Sequence, residues 1–166
     1  ICYYSAGSAE NWRSDYGSFS SSDKGEGLQG WAGENWLNIR SNNVLNVMKK
    51  RIDLASQKGC DAIDPDNMDA YDNGGGGFSL TQDDSVKYLK SMASYAAAKG
   101  MSTGLKNAQA ILGDVLSNVQ FAINEECAVT EDTKCSEYDS LLSAGKALFH
   151  IVSYSADIST TSTNNM

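Results

Sequence analysis

The chain has 166 residues and a formal charge of −8, from 21 acidic and 13 basic side chains. This length is enough for one domain with a sizeable core. The charge excludes nucleic acid and an anionic membrane surface as natural partners, and it favours a neutral or cationic ligand. No apolar run reaches the roughly 18 residues of a membrane span, so no membrane partner is expected.

Short apolar strand candidates alternate with stretches of helical periodicity along the chain. The candidates are residues 1–5, 28–31, 61–64, 102–105, 119–123 and 147–152. This alternation predicts βα units and a parallel α/β sheet. Six strands are too few for a closed (β/α)8 TIM barrel, which takes about 250 residues. We therefore expect a partial TIM-barrel-like domain over residues 1–154 and a disordered or irregular tail over residues 155–166.

Two long helices are predicted between these strands. Apolar residues at helical spacing run from Val44 to Ala55 and from Leu89 to Ala96. Thr81 precedes the second helix and is a suitable N-cap. Shorter helices are expected around residues 111–116 and 138–142.

An acidic run stands out at residues 61–69, where four aspartates fall within nine positions beside the only proline. Like charges this close repel one another and raise their pKa values, which costs stability unless a cation or a reaction uses them. An acid-rich surface loop is the alternative. The run is not an EF-hand loop, because Asp69 stands where the required glycine would be.

Polar residues follow most of the predicted strands, and in a parallel sheet these strand ends share one edge. Two carboxylates from different strands suit glycoside hydrolysis: one protonates the leaving oxygen, and the other attacks or activates water. The candidates are Asp64 or Asp66 on one side and Glu125 or Glu126 on the other. Lys106 between them either holds a carboxylate ionised or only balances charge.

The aromatic and cysteine residues leave alternatives open. Trp31, Trp36 and Tyr71 suit stacking on sugars, but each is also typical of a partly buried core residue.

The four cysteines allow three pairings: Cys127 and Cys135 bracket a short polar stretch, while Cys2 and Cys60 precede or begin strands. Disulfides indicate secretion. No C-x-x-C is present and the single histidine is remote in sequence, so we expect no metal and no cofactor.

Several motifs occur in a distinctive order. They are Tyr3-x-Ser5-x-Gly7, Gly30-Trp31-x-Gly33-Glu34-x-Trp36, Asp64-Pro65-Asp66-Asn67-x-Asp69-x-Tyr71, Gly104-Leu105-Lys106-Asn107 and Asn124-Glu125-Glu126-Cys127. Together they resemble the endo-α-1,4-polygalactosaminidases, glycoside hydrolase family 114, and above all its secreted fungal members. The resemblance runs from Ile1 to about Tyr154.

The resemblance implies a TIM-barrel-like fold, an extracellular location and cleavage of α-1,4-linked galactosamine polymers such as galactosaminogalactan. The family's catalytic carboxylates fall on Asp66, expected as nucleophile or base, and Glu125, expected as proton donor. Its loop disulfide falls on Cys127 and Cys135. The residues expected at the substrate are Tyr4, Glu34, Trp36, Asp64, Asp69, Tyr71, Lys106, Asn107 and Asn124. Independently of the resemblance, the acidic residues at this strand edge suit a cationic polymer, so Glu34, Asp64 and Asp69 are expected to contact ammonium groups.

One departure supports a competing hypothesis. The family pattern His-Ile-Glu-Tyr is replaced here by His150-Ile151-Val152-Ser153-Tyr154, so a carboxylate is missing at a strand end. A catalytically inactive barrel that binds polysaccharide or has a structural role is therefore the alternative. The intact pair of Asp66 and Glu125 favours the enzyme, while the oligomeric state and the stereochemical outcome stay open.

Overall fold

The computed structural model describes residues 1–125, 127 and 135–152. Its strands are β1 (Cys2–Ser5), β2 (Ser8–Glu10), β3 (Lys24–Gly27), β4 (Glu34–Leu37), β5 (Ala62–Asp66), β6 (Ser102–Lys106), β7 (Phe121–Glu125) and β8 (Ala147–Ile151). Its α-helices are α1 (Asn42–Gln57), α2 (Gln82–Ala97), α3 (Leu112–Val115) and α4 (Asp139–Ser143). None of the helices in this part of the chain is long and apolar enough to cross a bilayer.

Five strands form a parallel sheet in the order β1-β5-β6-β7-β8. This confirms the predicted α/β fold, and the described strands lie close to five of the six predicted segments. The exception is the segment 28–31, which is a turn. Gly30 and Gly33 take positive φ values of 84° and 93° there, a conformation that ends an extended run. The chain around this turn instead forms a small antiparallel sheet in the order β2-β4-β3.

The two faces of the parallel sheet carry different chemistry because side chains alternate along each strand. Ile63 is fully buried in the main core, where α1 and α2 contribute Met48, Ile52 and Leu89. The opposite face of β5 carries Ala62, which clusters with apolar residues of β7, and then the aspartates 64 and 66. Helix packing thus occupies one face, and the acidic residues are directed to the other.

Local signals in the sequence agree with this arrangement. The Thr81 hydroxyl accepts a hydrogen bond from the backbone N–H of Asp84, and the Asp84 carboxylate accepts one from the backbone of Thr81. This capping box satisfies two donors at the start of α2 and confirms the predicted N-cap.

Two disulfides are formed: Cys127–Cys135, which the family resemblance implies, and Cys2–Cys60, a pairing that the sequence left open. Cys2–Cys60 joins β1 to the segment before β5, with the Cα atoms 6.0 Å apart. Cys127–Cys135 joins residues eight positions apart. The predicted tail over residues 155–166 and the candidate Glu126 lie outside the described residues.

The turn after β1 depends on Gly7. The backbone N–H groups of Ala6 and Gly7 both donate to the carbonyl of Asp66, at 2.9 and 3.0 Å. This brings the chain so close that a β-carbon at Gly7 would overlap the carbonyl oxygen of Asn67. Only glycine fits this crossing between β1 and the end of β5.

Replacing Gly7 by Ala should therefore lower the free energy of unfolding by about 2 kcal/mol or more, because the backbone must move apart. Urea unfolding measures the change. Gly17→Ala is the matched control: a β-carbon there meets no atom within 4 Å, so its effect should stay within about 0.5 kcal/mol. Equal effects of the two substitutions would contradict the close approach.

Candidate active site

Asp66, the last residue of β5, is held by three hydrogen-bond donors. Its Oδ2 accepts from the Tyr3 hydroxyl and from Lys106 Nζ, each at 2.9 Å. Its Oδ1 accepts from the backbone N–H of Asn67 at 2.8 Å. Hydrogen bonds in which one or both groups are charged are shorter and stronger than neutral ones. The Asp66 carboxylate is therefore fixed in a single orientation at the edge of the sheet.

Lys106 ends the neighbouring strand β6 and is only 7% exposed. Besides Asp66, its ammonium contacts Glu125 Oε1 at 3.3 Å. Burial on its own would lower the pKa of Lys106, but the hydrogen bonds and charges of the two carboxylates outweigh it and raise the pKa. A positive charge thus lies permanently between the acids.

Glu125 ends β7 and is the more accessible of the two carboxylates, with 43% of its side chain exposed. Asn107 orients it from two sides. The Asn107 amide donates to Glu125 Oε2 at 3.0 Å, and its carbonyl accepts from the Glu125 backbone N–H at 2.9 Å. The backbone and the carboxylate of Glu125 are thus both held by Asn107, and the carboxylate can still be reached by solvent or substrate.

The strand order explains how these residues meet. β6 lies between β5 and β7, so the strands bearing the two acids are about 10 Å apart at the backbone. Their side chains converge on the ammonium of the central strand. Since the two contacts are 2.9 and 3.3 Å, the facing oxygens of Asp66 and Glu125 lie no more than about 6.2 Å apart.

The pair opens into a cleft of about 160 Å³. Its lining residues are Tyr3, Leu28, Trp31, Glu34, Asp66, Asn67, Lys106 and Glu125. The lining combines three carboxylates with one cation and exposed aromatic surface. A larger cavity of about 490 Å³ lies beside β1 and α1 and contains neither Asp66 nor Glu125.

Three aromatic residues predicted at the substrate lie elsewhere. Tyr4 points into the helix-packed core, where its hydroxyl contacts Met92 Sδ at 3.5 Å. Trp36 is buried against the backbone of Gly76. The Tyr71 hydroxyl is buried without a hydrogen-bond partner among the described residues, and its ring packs against the core. The predictions for the buried Tyr4 and Trp36 were wrong, because the sequence shows an aromatic residue but not the face on which it lies. The role of the half-buried Tyr71 stays a prediction.

The structure identifies Tyr3 in place of Tyr4. Alternation along β1 and its register with β5, in which Tyr3 pairs with Asp64, direct Tyr3 to the acidic face. The Tyr3 ring also lies 5.1 Å from Lys106 Nζ, a cation–π contact. Strand alternation shows that Tyr3 and Tyr4 lie on opposite faces, and the register with β5 is what places Tyr3 on the face of Asp66.

Asp64 and Asp69 do not line the cleft. Asp64 is buried below Asp66, and its Oδ1 has no hydrogen-bond partner in the described part of the chain. Burial raises the pKa of Asp64 to about 6; Lys106 opposes the shift, while Asp66 and Glu125 add to it. Burial likewise raises the pKa of Asp69. Because Asp64 is buried, an ammonium group of the substrate does not reach it, which contradicts its predicted role. The role of the half-buried Asp69 stays a prediction.

Asn124 is a supporting residue and does not reach the cleft. Its amide donates to the Tyr138 hydroxyl at 3.1 Å, and its carbonyl accepts from the backbone N–H of Cys127 at 2.8 Å. Cys127 Sγ in turn lies 3.1 Å from His150 Nδ1, a contact hidden by their separation in sequence. Cys127, Cys135 and His150 are close enough to share a metal ion, but the disulfide occupies both sulfurs.

Comparison with known proteins identifies the family. The model of glycoside hydrolase family GH114 matches residues 1–165. The chain belongs to this family. No curated protein sequence matches it. The crystal structure of Aspergillus fumigatus Ega3 in complex with galactosamine is similar, with 49% identity and a TM-score of 0.88.

The match to Ega3 covers 92% of this chain and 59% of that one, so the chain spans little more than half of its relative. The glycoside hydrolase domain of PelA from Pseudomonas aeruginosa has the same fold, with a TM-score of 0.62 at 14% identity, over 88% of this chain and 64% of that one. The similarity to these longer chains confirms the expectation of a partial TIM-barrel fold.

The buried Asp64 makes stability depend on pH. Because its pKa is raised in the folded state, Asp64 adds its full contribution to the free energy of unfolding below pH 4. This contribution is lost as the pH rises through about 6. Asp64→Asn removes this loss. Relative to wild type, the variant should gain about 2 to 3 kcal/mol in unfolding free energy between pH 4 and pH 7.

Urea unfolding at several pH values measures this difference. The exposed Asp114, replaced by Asn, is the control and should differ from wild type by a constant amount. A constant difference for Asp64→Asn as well would contradict a protonated, buried Asp64.

Proposed function

We propose that this protein is a secreted, endo-acting glycoside hydrolase that cleaves α-1,4-linked galactosamine-containing polysaccharide with Asp66 and Glu125. The observation that carries the proposal is the convergence of these two carboxylates, from β5 and β7, on the single ammonium of Lys106. Membership of GH114 supports the reaction class. The disulfides support an extracellular location.

The geometry supports different roles for the two acids. Asp66 is fixed by three donors, which suits a nucleophile that must approach one carbon. Glu125 is more exposed, which suits the acid that reaches the leaving oxygen. Glu125 gives its proton to the glycosidic oxygen as the C1–O bond breaks and Asp66 bonds to C1. Glu125 then takes a proton from water, which attacks C1 and releases Asp66.

The short separation favours retention of configuration at C1. Retaining glycosidases hold their carboxyl groups about 5–5.5 Å apart, whereas inverting enzymes leave about 6.5–9.5 Å for a water molecule. The two oxygens of Asp66 and Glu125 that contact Lys106 lie at most about 6.2 Å apart, which favours the shorter, retaining separation.

The charge of the site favours an amino sugar. Three carboxylates line the cleft against one lysine, and the whole chain is acidic. A polymer bearing ammonium groups is attracted to such a surface. The similar protein Ega3 was crystallised with galactosamine, which supports this sugar class.

The alternative is a polysaccharide-binding or structural protein without catalysis. It is favoured by Val152, which is exposed at the end of β8 where the family pattern has a glutamate. Product analysis distinguishes the two functions, because a binding protein retains polymer without shortening it.

Incubation with partly deacetylated galactosaminogalactan should release oligosaccharides detectable by mass spectrometry. Asp66→Asn and Glu125→Gln should each lower the rate at least about 100-fold, since each removes a group that bonds to or protonates the substrate. Proton NMR of the first products should show the α-anomer. Fragments from both variants at the wild-type rate would contradict the assignment, and first products in the β-form would contradict retention.

Tyr3→Phe should lower kcat about 10-fold and leave KM within about two-fold, because it removes one donor from Asp66 without altering the rest of the cleft. Tyr4→Phe is the matched control: it removes the same hydroxyl from the adjacent residue, whose side chain lies in the core. An unchanged kcat in Tyr3→Phe, or equal losses in the two variants, would show that the Tyr3 hydroxyl does not position Asp66.

A further inference from the structure

Glu34, the first residue of β4, is a buried carboxylate without a cation. It is 8% exposed, and no lysine, arginine or histidine nitrogen of the described residues lies within 4.0 Å of its oxygens. Its Oε2 accepts a hydrogen bond from the Ser8 hydroxyl at 2.7 Å. Burying a charge is costly unless it is paired, so this site favours a ligand that brings a positive charge.

Glu10, opposite Glu34 in the same sheet, is a buried glutamate that does have a cation partner. Glu10 lies directly across from Glu34 in the antiparallel register of β2 and β4. It is equally buried, but Arg13 Nε contacts it at 2.7 Å. Lys106, the cation in the cleft lining, is engaged by Asp66 and Glu125. Of these two buried glutamates, only Glu34 lacks a cation, and it is the one that lines the cleft.

A polar chain holds Glu34 in place. The Asn67 amide donates to the hydroxyls of Ser5 and Ser8 at 2.8 and 3.3 Å. The Ser8 hydroxyl then directs its own hydrogen to Glu34. Because Ser8 accepts from Asn67 and donates to Glu34, the carboxylate is oriented before any ligand arrives.

The surroundings of Glu34 in the cleft suit a sugar. Trp31 is 65% exposed, and Leu28 lines the same wall. An exposed indole packs against the apolar face of a pyranose and also attracts an ammonium group. The cleft lining therefore offers a carboxylate and an aromatic surface together.

We propose that Glu34 binds the protonated 2-amino group of a galactosamine unit next to the cleaved bond and so selects deacetylated over N-acetylated polymer. An acetamide carries no charge and leaves the buried carboxylate unpaired, which penalises the acetylated unit. This inference rests on the proposed function and narrows recognition of the amine to one residue. Asp64 and Asp69 lie outside the cleft lining.

Isothermal titration calorimetry tests the proposal. It measures the affinities of a galactosamine tetrasaccharide and of its fully N-acetylated counterpart. Both are measured in a Glu125→Gln background, so that slow turnover does not interfere. Adding Glu34→Gln should weaken binding of the deacetylated sugar 10- to 100-fold and change binding of the acetylated sugar less than about two-fold. Gln keeps an oxygen that accepts from Ser8, so the fold should be preserved.

Two further variants sharpen the result. Glu26→Gln makes the same charge change at an exposed position of β3 and should leave both affinities unchanged. Glu34→Asp keeps the charge but withdraws it, so its loss should be intermediate. Equal losses for the two sugars would mean that Glu34 only supports the fold, and no loss would mean that the amine binds elsewhere. Either result overturns the proposal.

The experiment also separates this inference from the function on which it rests. If binding of the deacetylated sugar depends on Glu34 but wild-type protein releases no fragments, the proposed hydrolase activity is rejected and the amine site is retained. If wild type releases fragments but Glu34→Gln does not change the affinities, the hydrolase activity is supported and the amine site is rejected.

Discussion

The contact of Lys106 with both Asp66 and Glu125 is the interaction on which the site depends. Two carboxylates this close repel each other in a partly buried setting, and a single ammonium from the intervening strand offsets that repulsion. The arrangement requires the strand order β5-β6-β7, which in turn requires the helical crossovers between these strands. The arrangement of the cleft therefore follows from the topology of the sheet, because Asp66, Lys106 and Glu125 are the last residues of three adjacent strands.

Much of this arrangement is encoded locally and could be predicted. Alternating strand and helix patterns indicated the parallel sheet, and Thr81 marked the start of α2. Asp66, Lys106, Asn107 and Glu125 were found because each directly follows or ends an apolar run, and parallel strands bring such ends together. Their mutual contacts depend only on adjacent strands, so a short-range pattern was sufficient.

The residues that sequence reasoning misplaced depend on long-range packing. Tyr3 and Tyr4 are both aromatic strand residues, and only the register with β5 decides which one contacts Asp66. The turn at 28–31 has enough apolar residues for a strand, but the positive φ of Gly30 and Gly33 makes it the loop that carries Trp31 to the cleft. Asp64 was grouped with the acids of the cleft, although its position two residues before Asp66 on the same face buries it.

Asn67 connects the two halves of the cleft. Its backbone N–H holds Asp66, while its side chain holds the serines beside Glu34, and its left-handed conformation is accommodated by Gly7. A change at Asn67 would therefore disturb the proposed catalytic carboxylate and the proposed amine site together. Variants meant to change the proposed sugar preference should therefore alter the loop bearing Trp31, which lines the cleft, and leave this asparagine untouched.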